Sequence, residues 1–201
     1  MRLHLIVVYF MVASFVSNYF KSITFKFMKK ITFIAILSFL ILSFSVKDRV
    51  EALIGKEIKS VFEVEVYNKE VISIPLEINE TLPIKITDTN FFKIKDESSL
   101  LGYYYIGKAY GKADFFDFIV IFDENLIVSK VKILVYREDH GGEIGSKRWL
   151  KQFIGSDKNS ALKYQKDIAA ISGATLSAKA MTNEVNKLLK TIGILVNKNQ
   201  I

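Results

Sequence analysis

Phe115-Phe116-Asp117-Phe118-Ile119-Val120-Ile121-Phe122, then Asp123-Glu124-Asn125, then Leu126 to Tyr136, is the stretch that decides the fold. The first run is apolar throughout except for Asp117, as a buried strand requires. The polar triplet reads as a hairpin turn, and Val131, Ile133 and Val135 alternate on the returning strand. Upstream, Leu101-Gly102-Tyr103-Tyr104-Tyr105-Ile106-Gly107-Lys108-Ala109 reads as an aromatic-rich strand with a glycine near each end. The three runs predict an antiparallel meander with one well-buried face.

Downstream comes Arg137-Glu138-Asp139-His140-Gly141-Gly142-Glu143-Ile144-Gly145. Three glycines among charges at a strand end predict a loop whose backbone takes special angles or closely approaches a ligand. Ser146 is placed to cap a short helix carrying Trp149, Leu150 and Phe153, with Gly155 as its stop. After a polar link the chain reaches Ile171-Ser172-Gly173-Ala174-Thr175-Leu176-Ser177. Beyond it, Met181, Val185, Leu188, Leu189 and Ile192 recur at steps of three and four, opposite Lys179, Asn183, Asn186, Lys187 and Lys190. That pattern predicts an amphipathic helix over roughly 176–192. The hydroxyls of Thr175 and Ser177 then lie at or just before a helix N-terminus. An ordinary N-cap explains them without any ligand. The same position favours a phosphate, which a hydroxyl there can contact or be esterified to.

The upstream segment, residues 46–98, reads as a β-rich extension. Val61-Phe62-Glu63-Val64-Glu65-Val66-Tyr67 alternates as a half-buried strand, and Val71 to Ile78 and Leu82 to Ile86 read as short strands bent by Pro75 and Pro83. The expected class is α+β: an antiparallel sheet over roughly 100–136 packed by helices at 146–154 and 176–192.

The formal charge of +7 is unevenly placed. Residues 1–45 hold five Lys/Arg and no acid, which leaves 23 basic and 21 acidic residues in 46–201. The basic excess belongs to the leader and argues against a nucleic-acid partner. Within the leader, two lysines precede an apolar run from Ile31 to Leu42, followed by Ser43 and Ser45. Residues 28–45 therefore read as a signal peptide or an uncleaved membrane anchor. Residues 1–27 read as an over-long start or an extra apolar segment. The chain has no cysteine. Disulfides, thiolate zinc sites, iron–sulfur clusters and thioether-attached haem are thereby excluded.

Three pieces in this order, Gly102-Tyr103 with Gly107, the 137–145 loop leading to Trp149 and Phe153, and Ser172-Gly173-Ala174-Thr175 before a closing helix, resemble the FMN-binding domain. That family includes the flavin-carrying small subunits of sodium-pumping NADH:quinone reductase and of the Rnf complex, and standalone exported proteins. The resemblance covers about residues 95–192, and the domain is expected over 99–195 with a tail at 196–201. It implies FMN as cofactor, joined to Thr175 by a phosphoester bond that a flavin transferase makes. It further implies Ser172, Gly173, Ala174 and Ser177 around the phosphate, and Gly142 and Glu143 at the ring. The expected role is an extracytoplasmic electron carrier, periplasmic or on the outer face of the cytoplasmic membrane, with membrane or extracytoplasmic redox proteins as partners. The chain departs from the family's D-x-x-[ST]-G-A-T at one point: Ala169 stands where the acid is usual, and the nearest acid is Asp167. The alternative is an exported structural or ligand-sensing module with non-covalent flavin or none.

No residue is assigned as catalytic or metal-ligating. His140 reads as a loop histidine, and Asp114, Asp117, Asp123 and Glu124 as hairpin charges without calcium-loop spacing. Trp149 reads as core with its N–H bonded, or as a shield over one flavin face.

Overall fold

The computed structural model describes residues 30–34, 37–38, 48–97 and 99–201. It divides into two units, residues 1–49 and 50–201. In the first, residues 30–34 and 37–38 are helical. The remaining positions of the expected leader lie outside the described residues. Among the described residues no helix is long and apolar enough to cross a membrane.

The second unit is built on one five-stranded antiparallel sheet in simple order, β1 (Asn68–Val71), β2 (Phe91–Asp96), β3 (Ser99–Tyr110), β4 (Phe115–Asp123) and β5 (Val128–Val135). The class is α+β, as expected, and the meander from Leu101 to Tyr136 forms β3 to β5. Side chains on adjacent strand positions point to opposite faces, so the aromatic runs on β3 and β4 fill both. On the front, Tyr103, Tyr105, Phe116, Phe118, Val120 and Phe122 meet Met181, Val185, Leu188, Leu189 and Ile192. Those five residues lie on α4 (Thr175–Asn197), which is longer than the periodicity alone predicted.

The back face holds the main departure from expectation. Residues 48–62 are helical (α1), and Val61 to Tyr67 form no strand. The reason is a competing period: Val50, Ile54, Ile58 and Val61 recur every three to four residues, and this overrides the alternation that begins at Val61. Ile54 and Ile58 bury themselves against Phe92, Ile94, Tyr104, Ile119 and Ile121. The first part of the extension thus covers the back of the sheet, while β1 and β2 add two strands to its edge. Of the other strands expected in 46–98, only β1 overlaps one, at Val71. Leu76–Asn79 is a single helical turn, α2, opened by Pro75, and 82–86 has no regular structure. β2, which was not anticipated, pairs with β3.

A charge clamps α1 to the sheet. Glu57 on α1, 7% exposed, pairs with Lys130 (2.6 Å) and Lys132 (3.4 Å) of β5. Burial pushes its carboxyl up, but the hydrogen bond and charge of Lys130, with the charge of Lys132, outweigh this and hold it below the usual glutamate range. A carboxyl with a depressed folded pKa stabilises fully above its unfolded value, about 4.3, and loses that contribution as pH falls through the folded value. Glu57→Gln is therefore expected to cost roughly 1 kcal/mol at neutral pH and to flatten the acid limb of stability below about pH 4.3. Urea melts of both proteins from pH 3 to 7 measure this; parallel acid limbs would refute it.

Candidate functional site

The Ser-Gly-Ala-Thr turn is the entry to α4. Gly173 sits at φ +80°, a left-handed angle that favours glycine, and Ala174 is the N-cap. Thr175 is the first helical residue. Neither threonine nor serine caps the helix: the N-cap is an alanine, which offers no side-chain oxygen. This corrects the ordinary-cap reading, because the hydroxyl lies one residue too far along to accept from the first turn. Thr175 itself is exposed. The Ala178 N–H bonds to the Ala174 carbonyl at 2.9 Å, but among the described residues nothing accepts from the N–H of Thr175, Leu176 or Ser177. A 23-residue helix thus opens on unused donors at the positive end of its dipole, beside an accessible hydroxyl.

The glycine loop packs directly against this turn. Gly141, at φ +84°, lies so close that a Cβ there would stand 2.8 Å from the Tyr136 hydroxyl and 3.1 Å from the Ala174 Cβ. Tyr136, at the end of β5, donates to the His140 carbonyl at 2.7 Å, and its hydroxyl lies 3.4 Å from that of Ser177. Ser177 is buried, 3% exposed. It therefore joins the turn to the loop and does not face solvent as Thr175 does. Gly142 and Glu143 open a 3-10 turn, Gly142–Gly145, held by the buried Ile144. Both are exposed, and a Cβ on Gly142 would meet nothing within 4 Å. Ser172 and Gly173 are exposed beside Thr175, whereas Ala174 is buried.

Two contributors were not anticipated. Gly111, after β3, comes so close to the Glu138 carboxylate and the Ser177 hydroxyl that any Cβ would displace the carboxylate. Glu138 also accepts from the Lys112 N–H. The β3–β4 hairpin tip, the 137–145 loop and the first turn of α4 therefore meet at one point. Glu138 lies in the loop already singled out, though without a role of its own there, and for Gly111 the only sequence signal was a glycine in a turn.

The link before the turn is anchored through its backbone. Trp149, 5% exposed and edge-on to Phe153, donates its indole N–H to the Ala169 carbonyl at 2.8 Å. The Ala169 N–H donates to Gln152 at 2.7 Å. Trp149 is thus a core residue with its N–H bonded, and burial removes it as a ring shield. The Asp167 carboxylate accepts from the Lys163 N–H at 2.8 Å, closing its own turn. Ser146 caps the helix α3 (Lys147–Leu150) as expected. His140 is exposed, Asp123 closes the β4–β5 turn by accepting from Asn125 and Ile127, and Asp117 pairs with Arg137.

These features fit a flavin mononucleotide. Free N–H groups at a long helix N-terminus suit the phosphate, and an exposed glycine loop with open backbone suits the edge of a planar ring. No curated protein matches the chain. The model of the FMN-binding domain matches residues 111–190. That interval begins at Gly111 and contains the loop, α3, the turn and most of α4; β3, with Gly102 and Gly107, precedes it. Residues 111–190 belong to the FMN-binding domain family, and the cofactor of the chain is FMN.

Proposed function

We propose that this chain is an exported electron carrier whose FMN is joined through its phosphate to the Oγ of Thr175. The observation that carries the reading is the exposed Thr175 hydroxyl on the first turn of α4, beside three N–H donors without acceptors among the described residues. A phosphodiester there keeps a negative charge, which the helix terminus offsets. Bound FMN supplies one-electron acceptance and donation. The chain's own residues hold and present it: the turn at Ser172 to Ala174 takes the phosphate, and Gly142 and Glu143 offer backbone and carboxylate at the ring. No side chain acts as acid or base.

A flavin transferase is the partner that forms the bond. The step takes an activated flavin donor, a flavin nucleotide whose FMN phosphate is held in a pyrophosphate. Oγ–P forms as the pyrophosphate P–O bond breaks, the nucleoside monophosphate leaves, and the hydroxyl proton goes to solvent, so the product is heavier than the unmodified chain by one FMN less one water. Its redox partners would be membrane or extracytoplasmic redox proteins, with the leader placing the domain outside the cytoplasmic membrane. Nucleic acid has no part in this reading. The alternative, a module with non-covalent FMN or none, draws on Ala169, where the family's acid is missing. Co-expression with and without a flavin transferase, followed by intact mass, separates them. A gain of one FMN less one water, with visible absorbance that bleaches reversibly on chemical reduction, is expected. No gain beside an active transferase would sink the covalent reading.

A further inference from the structure

We infer that the open end of the sheet's back face, built around Tyr110 and Phe115, rests in the headgroup layer of the membrane that the leader enters. The inference depends on the leader remaining as an anchor, and goes beyond the flavin reading.

Tyr110 and Phe115 are cross-strand partners where β3 turns into β4, with ring centroids 4.9 Å apart and edge to face. Their neighbours Ala109 and Phe116 point into the front core, so this pair points to the back. They stay 52% and 49% exposed, although the aromatic residues further along β3 and β4 are buried. The pair is held rigidly: Tyr110 donates to the Ala113 carbonyl, and Arg137 bonds both the Phe115 carbonyl and Asp117. Lys108 is exposed on the same face, opposite Asp117. Rigid aromatic rings beside cationic side chains suit a membrane interface, where one end of each group is apolar and the other wet.

The course of α1 explains why this end is bare and points to its occupant. Phe62 lies over Gly102, which pairs with Asp123. Glu57 reaches Lys130 and Lys132, which pair with Ile121 and Ile119. Going toward the N-terminus, α1 thus advances along β4 toward the hairpin tip. Seven further residues, a rise of about 10 Å, bring Val50 to about the level of Asp117. The helix then gives no cover to Phe115 and Tyr110. The chain enters the domain at this end, and eight residues earlier stands Leu42, the last of the apolar run. Eight residues span at most about 28 Å. An anchored leader therefore keeps this face within a short tether of the bilayer, where a small patch suffices because its encounter is intramolecular. Acids balance the bases around the patch, with Asp114, Asp117 and Glu138 against Lys108, Lys112 and Arg137. The aromatic rings, and not net charge, are what the membrane takes up.

The absence of native cysteine makes the test direct. Nitroxide labels at Leu37→Cys, Lys108→Cys and Asn183→Cys are read in the full chain, in nanodiscs of phosphatidylcholine and phosphatidylglycerol. The ratio of oxygen to nickel-chelate accessibility reports depth. A label at Leu37 reading hydrocarbon, with a several-fold higher ratio at Lys108 than at Asn183, is expected. Adding Tyr110→Ser and Phe115→Ser should return the Lys108 ratio to the Asn183 level. Leu37 inserted with Lys108 as aqueous as Asn183 overturns the inference alone. Leu37 in water overturns it together with the anchored leader. Neither result touches FMN attachment at Thr175, which intact mass reads separately.

Discussion

Thr175→Ala is expected to remove the whole mass gain of one FMN less one water while leaving the fold as stable as before. Both halves follow from the position of the residue. The substitution takes away the hydroxyl and the γ-methyl of a side chain that is exposed and caps nothing. Alanine is a better helix former than threonine by about 0.5 kcal/mol, so thermal stability should hold or rise slightly. A structural threonine would give the opposite signature, with lost stability and flavin retained. Thr175→Ser keeps a hydroxyl at the same helical position and should keep the linkage. Acid precipitation adds a check that mass alone does not give: flavin bound only by contacts leaves the denatured chain, whereas an esterified flavin stays with the pellet. Persistence of the full mass gain in Thr175→Ala would move the attachment elsewhere, with the exposed Ser172 the next hydroxyl to test.

Ala169 bears on the same experiment. Its carbonyl and N–H are fixed by Trp149 and Gln152, while its side chain is exposed. Ala169→Asp therefore puts back the family's acid without disturbing the anchor. If poor recognition by the transferase limits attachment, the modified fraction should rise in this variant. Asp167 is a weak substitute, because its carboxylate is committed to the Lys163 N–H.

How much of this could be read beforehand depended on where each element's stability comes from. The β3–β5 meander and α4 carry one dominant period each, so apolar spacing alone placed them, down to the five buried residues from Met181 to Ile192. Val61 to Tyr67 misled because two periods overlap there. Alternation is local, whereas the three-to-four spacing back to Val50 pays off only when Ile54 and Ile58 find the back of the sheet. The site divides in the same way. Thr175 and the glycine loop stood out because few residue types satisfy sharp turns. The roles of Gly111, Glu138 and Tyr136 arise from contact between segments as much as 66 residues apart, Gly111 against Ser177, and no local pattern encodes that.

Gly102→Ala is expected to be the most damaging single-methyl change in the sheet. An added Cβ would stand 2.2 Å from the Phe122 carbonyl oxygen, 2.8 Å from the Phe62 ring and 3.1 Å from the Asp123 carbonyl carbon. Two of these three neighbours are backbone of β4, and β4 lies between β3 and β5. Relief therefore requires moving a ladder strand or opening the β3–β4 pairing. The third neighbour is the C-terminal end of α1, so the same methyl also lifts the helix that covers the back face. Overpacking of this kind costs typically 1–3 kcal/mol, and the rigid backbone places this case at or above about 3. That corresponds to a fall in Tm of roughly 6–12 °C for a domain of this size. Gly107 sharpens the comparison. A Cβ there would meet the rings of Phe118 and Tyr105 at 2.5–2.6 Å, and ring ends can turn aside, so Gly107→Ala should cost less. Gly142→Ala, with nothing within 4 Å, should leave the melting curve unchanged. Thermal melts of the three variants test the order: a Gly102→Ala protein as stable as Gly142→Ala would mean that β3 and β4 can part at this point without loss, and that α1 does not depend on the contact between Phe62 and Gly102.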